Sequence, residues 1–244
     1  MEGMASIVVG LDFSACSRVA LGHAQRMASW AGAQVHPVHV VEAPIDETEV
    51  DAALTPMQRT IRAGLVDDAR KRWQAFVEGM PEAARLDLDV NVSHRLVGIR
   101  QQLDRHGADL LTIGAHGDAK PNVGMGTFAT ACVRSLPTDV LIVRDNYRDP
   151  FRTVVVGVDF SPTSRRALEV ASLVAHGEGA RLYAVNVVPD SVDTYARLRN
   201  QLGPDLDAWV KEAGARYPAL EVQAKIYPYA GYRSGLMEFA ALVN

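Results

Sequence analysis

The segment DLLTIGAHGDAKPNVGMGTFATACVRSLPTDVLIVR, residues 109–144, joins two apolar runs through a glycine-rich interval, and it decides how the rest of the chain is interpreted. The first apolar run ends at Gly114, and further glycines follow at positions 117, 124 and 126. Thr127 then opens a short amphipathic segment, and the second apolar run occupies residues 140–143. This order predicts a strand, a loop, a helix and a strand.

The glycines suggest what the loop could hold. Glycine lets backbone N–H groups approach a ligand without a Cβ in the way, and a helix start presents unpaired donors and a partial positive charge. A bound phosphate is one interpretation, and a flexible surface loop that leads into a helix is the other. The interval matches neither the Gly-x4-Gly-Lys-Ser/Thr phosphate loop nor the Gly-x-Gly-x-x-Gly dinucleotide fingerprint.

Two features of this segment resemble the universal stress protein family. They are the spacing Gly-x2-Gly-x8-Gly-Thr from Gly114 to Thr127 and the closing sequence PTDVLIVR at residues 137–144. They are similar to the nucleotide loop and the last strand of that family. Its ATP-binding members carry Gly-x2-Gly-x9-Gly-Ser/Thr, so the spacer here is one residue shorter. The resemblance implies ATP, with or without magnesium, as the cofactor.

Composition excludes several classes of protein. The chain has 244 residues, enough for two average domains or one large one, and 48% of them are hydrophobic. A net charge of −4 argues against general nucleic-acid binding, and no apolar run is long enough to cross a bilayer. The first residues do not have the pattern of a secretory signal. Two cysteines, Cys16 and Cys132, predict no disulfide framework, so we expect a reducing cytoplasm and no metal site.

The chain contains an internal repeat. Aligned without gaps at an offset of 147, residues 6–41 and 153–188 share roughly half of their 36 positions, including VVG, DFS and a closing VV. The polar DNYRDP lies between the two copies. The repeat predicts a first domain over residues 1–148 and a second over residues 151–244.

Apolar periodicity predicts alternating strands and helices in the first domain. Ser14 is placed as the N-cap of the first helix, Thr55 and Pro56 open the second, and Gly107 ends the third. The remaining predicted elements are strands at residues 7–11 and 35–41, an edge strand at 86–92 and a helix at 97–106.

This alternation predicts an α/β fold with an open, mostly parallel sheet and helices on both faces. The family resemblance implies five strands in the order 3-2-1-4-5. Ligands in such sheets bind at the carboxyl ends of the strands where the winding reverses. Asp12 and Gly114, about 100 residues apart in sequence, are therefore predicted to lie side by side.

Nine residues are the candidate nucleotide-binding set, with roles implied by the resemblance. Asp12 would accept from the adenine amine or a ribose hydroxyl, and the backbone of Val40 and Val41 would meet the base. Loop amides would meet the phosphates, and Thr127 would add a hydroxyl. The full set is Asp12, Ser14, Val40, Val41, Gly114, His116, Gly117, Gly126 and Thr127.

Structural alternatives stay open for several of these residues. Asp12 could be a turn or capping aspartate, because Asp159 recurs at the matching position of the second repeat. Thr127 could be an N-cap, and His116 could be a solvated loop histidine. Lys120 could neutralise a terminal phosphate or face solvent. No catalytic residue is assigned.

The second repeat predicts three strands and stops where a fourth strand and a glycine loop would begin. Its second helix, residues 192–215, contains Gly203 and Pro204, where a helix should break or kink. We expect a truncated second unit. In the family, paired units meet through their last strands, so the resemblance implies a homodimer through residues 140–143.

Three functional classes remain. The first is a cytoplasmic ATP-binding protein of the universal stress type, with at most slow hydrolysis. The second is an adenine-nucleotide hydrolase or adenylyl-transferring enzyme, although the chain has no Ser-Gly-Gly-x-Asp-Ser loop and no His-x-Gly-His. Catalytic residues of such an enzyme could lie in the polar loop 42–51. The third is an interaction module that binds no nucleotide.

Overall fold

The computed structural model describes residues 4–42, 55–117, 125–146 and 149–243. The chain divides into two compact units, Met1–Arg148 and Asp149–Asn244. No helix among the described residues is both long enough and apolar enough to cross a bilayer.

The first unit alternates strands and helices as predicted. A single 3₁₀ turn, Ala83–Arg85, precedes its third strand. The elements are β1 (Ser6–Gly10), α1 (Ala15–Ala31), β2 (Gln34–Val41), α2 (Pro56–Phe76), β3 (Asp89–Val92), α3 (Arg95–His106), β4 (Leu110–Gly114), α4 (Thr127–Ser135) and β5 (Asp139–Val143).

Its five strands form one parallel sheet in the order β3-β2-β1-β4-β5, which confirms the predicted fold class. Ile7, Val8 and Val9 of β1 have no exposed surface, as expected for a central strand covered on both faces. Burying each such side chain contributes about 1.5–3 kcal/mol.

Alternate side chains of the strands pack against different helices. Val8 and Leu111 face α3 and α4, where they meet Ile99 and Cys132. On β5, Val143 packs against Val19 and its neighbours in α1. The described helices therefore cover both faces of the sheet.

Sequence signals for the helix ends were accurate in most cases. Ser14 caps α1 by accepting from the Ser17 N–H, and Thr55 forms a capping box with Gln58 at the start of α2. Gly107 ends α3 in the left-handed region at φ 54°. The edge strand β3 is shorter than predicted, because residues before Asp89 do not pair with β2.

The second unit contains a parallel three-stranded sheet in the order β6-β7-β8. Leu182 and Ala184 face one core with Leu168 and Leu206, whereas Tyr183 and Val185 face another with Phe239. The elements are β6 (Thr153–Gly157), α5 (Pro162–Glu178), β7 (Arg181–Val188), α6 (Val192–Arg216), β8 (Val222–Pro228) and α7 (Tyr232–Leu242).

Of the two outcomes predicted at Gly203 and Pro204, a break or a kink, the break is wrong. Helix α6 is continuous from Val192 to Arg216 and contains Pro204 in its interior. Proline removes one backbone donor and crowds the preceding turn, but tertiary packing can override that cost. Leu206 and Trp209, just beyond the proline, pack into the core of the second unit and hold the helix together.

Candidate functional site

The turn after β1 places a carboxylate at the carboxyl edge of the first sheet. Asp12 is exposed, and its Oδ1 accepts from the backbone N–H of Ser14 at 3.0 Å. Between them, Phe13 adopts φ 65°, a left-handed conformation that non-glycine residues rarely occupy. The turn therefore holds Asp12 in a fixed direction.

The structure brings Asp12 beside the glycine loop. Gly10 of β1 lies opposite Ile113 of β4, so the two strands end together. A methyl group added at Gly117 would come within 2.8 Å of Asp12 Oδ2. Two residues more than 100 positions apart in sequence therefore lie side by side, as predicted for the ends of neighbouring strands.

Gly114 is required by packing. A Cβ at this position would lie 2.7 Å from the Cβ of Cys16 and 3.1 Å from the Ser17 backbone nitrogen. Strand β4 can approach the first turn of α1 this closely only because residue 114 has no side chain. Its role is to place the loop.

One loop amide is unavailable to a ligand. The Gly126 N–H donates to the Ala115 carbonyl at 2.8 Å and closes the base of the loop. The predicted contribution of Gly126 to phosphate binding through its own amide is therefore wrong. Gly126 instead serves as the N-cap of α4. Gly124 and Lys120 lie outside the described residues.

Thr127 is not the N-cap of α4 that one interpretation predicted. It is the first residue inside the helix, and the Gly126 carbonyl accepts the first helical bond, from the Thr130 N–H. Because Gly126 has no side chain, no side-chain oxygen caps this helix. Thr127 is exposed at the helix start, where backbone donors lack helical partners.

Ser14 has a structural role in the described geometry. Only 4% of its surface is exposed. Its hydroxyl accepts from the Ser17 N–H at 3.2 Å, and its carbonyl accepts from the Ser17 hydroxyl at 3.0 Å. It stabilises the start of α1 and thereby the position of Asp12.

At the end of β2, the backbone groups of Val40 and Val41 face opposite neighbouring strands. The Val38 carbonyl accepts from Leu11 on the β1 side, whereas the Val41 carbonyl accepts from Ser93 on the β3 side. Backbone groups of a strand alternate in direction, so those of Val40 face the same side as those of Val38. Val40, and not Val41, directs its N–H and C=O towards the end of β1.

A wall of aromatic side chains beside Asp12 was not predicted. The Phe13 ring lies 4.5 Å from that of His39 and 5.4 Å from that of Phe76, and the Arg72 guanidinium lies 4.6 Å from the Phe13 ring. His39 Nδ1 donates to the Leu11 carbonyl at 2.7 Å. Burial lowers the pKa of His39 below its ordinary value.

The second repeat contains the same turn. Asp159 Oδ1 accepts from the Ser161 N–H at 3.0 Å, and Phe160 adopts φ 64°. Asn186, which matches His39, donates to the Val158 carbonyl at 2.6 Å. Hydrogen bonds from Ser161 lower the pKa of Asp159 to about 2. The repeated turn shows that its geometry belongs to the fold, so a ligand at Asp12 needs the neighbouring loop as well.

His116 lies at the first turn of the glycine loop and is half-buried. Its Nδ1 is 3.3 Å from the Gly117 carbonyl, and its two ring nitrogens are 3.7 and 3.8 Å from the Cys16 Sγ. One side of the ring therefore packs against the start of α1, while the side chain stays partly exposed to solvent.

Comparisons with known proteins agree with this architecture. The sequence model of the universal stress protein family matches residues 4–144 and 150–227. A universal stress protein from Archaeoglobus fulgidus DSM 4304 has 19% identity and a TM-score of 0.65 over 98% of this chain and 84% of that one.

Two further solved structures are similar. A functionally unknown protein, PA1789, from Pseudomonas aeruginosa PAO1 has 15% identity and a TM-score of 0.53 over 92% of this chain and 75% of that one. A universal stress protein in complex with cAMP has 23% identity and a TM-score of 0.37 over 58% of this chain and 97% of that one. A search of curated proteins found no match. At these identities the structural likeness supports the fold alone.

Proposed function

This chain belongs to the universal stress protein family, and we propose that it binds one molecule of ATP at the carboxyl edge of its first sheet. The ligand would lie between the turn after β1 and the start of α4. In this proposal the chain acts as a nucleotide-responsive stress protein, and its output depends on whether ATP is bound.

The observation that carries the proposal is the contact between Asp12 and the glycine loop. Asp12 Oδ2 lies beside Gly117, and the same loop closes through Ala115 and Gly126 onto the start of α4. A carboxylate suited to a ribose hydroxyl or an amine therefore lies near a helix start suited to a phosphate.

Residues of the first unit fit the chemical demands of a nucleoside triphosphate. The N–H groups at the start of α4 have no side-chain cap and would donate to phosphate oxygens, with the exposed Thr127 hydroxyl next to them. Val40 would present one donor and one acceptor to the base edge. ATP supplies the negative charge that a helix start attracts.

Unit two is expected to bind no second nucleotide. It repeats the aspartate turn at Asp159, but its described sheet has only three strands and no element equivalent to the glycine loop. The predicted stoichiometry is therefore one ATP per chain. Asp159 also provides a matched control for Asp12, because both carboxylates make the same turn.

Calorimetric titration of the full chain with ATP tests the proposal. We expect one site per chain and about a tenfold or greater loss of affinity in Asp12→Asn, because a charge-assisted hydrogen bond is lost. Asp159→Asn should bind as the wild type does. Equal affinities in all three proteins, or no binding, would reject this site and favour an interaction module.

The same preparation separates a binding protein from an enzyme. Phosphate release from excess ATP should be slow, because the described groups at the start of α4 are hydrogen-bond donors and include no general base for an attacking water. Multiple rapid turnovers that are lost in Asp12→Asn would establish the enzyme class instead.

A parallel titration with cAMP tests whether the triphosphate is needed, and we expect weaker binding because cAMP offers only one phosphate to the helix start.

A further inference from the structure

We propose, against the expectation of no metal site that the cysteine count gave, that Cys16, His116 and Asp145 form a binding site for a divalent transition-metal ion of the zinc type. The three residues come from the start of α1, the loop after β4 and the turn after β5. Helix α1 and the ends of strands β4 and β5 thus bring a thiol, an imidazole and a carboxylate together. This inference does not depend on nucleotide binding.

The geometry of the cluster fits one small ion. One ligand atom from each residue lies within 4.8 Å of the other two. In a tetrahedral zinc site, bond lengths of about 2.0–2.3 Å place neighbouring ligand atoms about 3.4–3.6 Å apart. The observed separations of 3.7 and 3.8 Å between Cys16 Sγ and the two ring nitrogens of His116 are close to that value.

The surroundings of His116 fit a metal ligand as well. Histidines that bind a metal usually donate their second ring N–H to a carbonyl or carboxylate, which fixes the tautomer. Nδ1 of His116 lies 3.3 Å from the Gly117 carbonyl. This contact leaves Nε2, at 3.8 Å from the Cys16 Sγ, as the metal-binding nitrogen.

The mixed ligand set selects the type of ion. Thiolate and imidazole favour zinc and related soft or borderline ions, whereas magnesium and calcium prefer oxygen ligands only. Cys16 is buried, while His116 and Asp145 are half-buried, so an ion could enter from the solvent side of the last two residues. Three protein ligands leave the fourth position of a tetrahedral ion to water or another small ligand.

Metal titration of the untagged full chain, stripped with a chelator and free of nucleotide, tests this site. Cobalt(II) serves as the probe, because a thiolate ligand gives a charge-transfer absorption in the near ultraviolet. We expect one cobalt per chain, displaced by one zinc. Cys16→Ser should abolish the charge-transfer band and weaken zinc binding by more than about tenfold.

Cys132→Ser is the matched control, because Cys132 is the other cysteine and lies on α4, where it is fully buried in the core. It should keep the charge-transfer band. Asp145→Asn should weaken cobalt binding, because it replaces a charged ligand by a neutral one. Because Asp145 is a half-buried turn residue, the circular dichroism spectrum should stay unchanged. A band that persists in Cys16→Ser, or zinc affinity unchanged in both Cys16→Ser and Asp145→Asn, would overturn the proposal. ATP affinity is measured separately, so either proposal can fail alone.

Discussion

Gly114 ends β4 and Gly117 lies three positions later in the following loop, yet the two glycines meet different structural demands. A side chain at Gly114 would meet Cys16 Cβ and backbone atoms of α1, which cannot move independently. Among the described residues, a side chain at Gly117 would meet Asp12 Oδ2, the end of an exposed side chain that can shift at the cost of its hydrogen bond from the Ser14 N–H. Substitution of Gly114 should therefore lower the stability of the fold, whereas substitution of Gly117 should weaken ligand binding.

Gly114→Ala should lower the free energy of unfolding by about 1–3 kcal/mol, the usual cost of overpacking. Gly117→Ala should change it by much less and should instead weaken ATP binding by displacing Asp12. Urea denaturation followed by circular dichroism measures the first quantity, and calorimetry measures the second. Equal stability losses in both variants would show that the contact with α1 is not rigid.

His39 should make the stability of the protein depend on pH. Its pKa is lowered, chiefly by burial, so the folded state favours the neutral ring. The stabilising contribution is therefore complete above the ordinary histidine value of 6.5 and is lost as the pH falls through the lowered value.

His39→Asn tests this sign directly, because Asn186 makes the equivalent bond in the second repeat. The variant keeps a donor for the Leu11 carbonyl and has no titrating group. Its free energy of unfolding should fall less than that of the wild type between pH 7.5 and pH 5. His36 also has a lowered pKa, so the difference between the two proteins is the quantity to compare. Parallel pH curves would contradict the assignment.

At the scale of single elements, the continuity of helix α6 through Pro204 can be tested directly. Since it runs unbroken through Pro204, replacement of this residue by alanine should restore one helical hydrogen bond. We expect Pro204→Ala to raise the stability of the second unit by about 1–3 kcal/mol. The midpoint of thermal unfolding measures the gain. No gain, or a loss of stability, would indicate that the chain breaks near Gly203 in solution.

Sequence periodicity and capping residues were sufficient for most elements, whereas the strand order came from the family resemblance. Ser14, Thr55 and Gly107 act locally, so their signals survive in a single sequence. Pro204 was misjudged because its cost is local while the compensating contacts are tertiary. Helix α4 starts at Thr127 as predicted, but the alternative that made Thr127 its N-cap was wrong because Gly126 holds that position.

The candidate site was only partly predictable for the same reason. Asp12 and the loop could be paired through strand order, because parallel strands end at one edge of the sheet. The direction of the Val40 backbone depends on register, which periodicity does not fix. The Cys16 contact with His116 depends on how close β4 lies to α1. The repeated DFS motif and its aromatic residue were the signals that could have revealed the wall at Phe13.

At the scale of the whole molecule, we propose a homodimer through β5, which is an edge strand of the first sheet. The Val143 carbonyl accepts from Ala115, so the backbone groups of Val140 face away from β4. Val140→Pro would remove an outward donor without breaking the internal ladder. Sedimentation velocity should show a dimer for the wild type and a monomer for this variant.

Val90→Pro is the control at the opposite edge of the same sheet. The Ser93 N–H donates to Val41, so Val90 on β3 also directs its backbone outward. This variant should remain dimeric. A monomeric wild type, or dissociation of the Val90 variant alone, would contradict pairing through β5.

The central claim is that one ATP lies between Asp12 and the start of α4. Backbone amide resonances of the isotope-labelled full chain, recorded during an ATP titration, test it most directly. We expect shifts at Asp12, Val40, Gly117 and Thr127, and none at the matching turn of Asp159. Shifts confined to the second unit, or no shifts at saturating ATP, would contradict it.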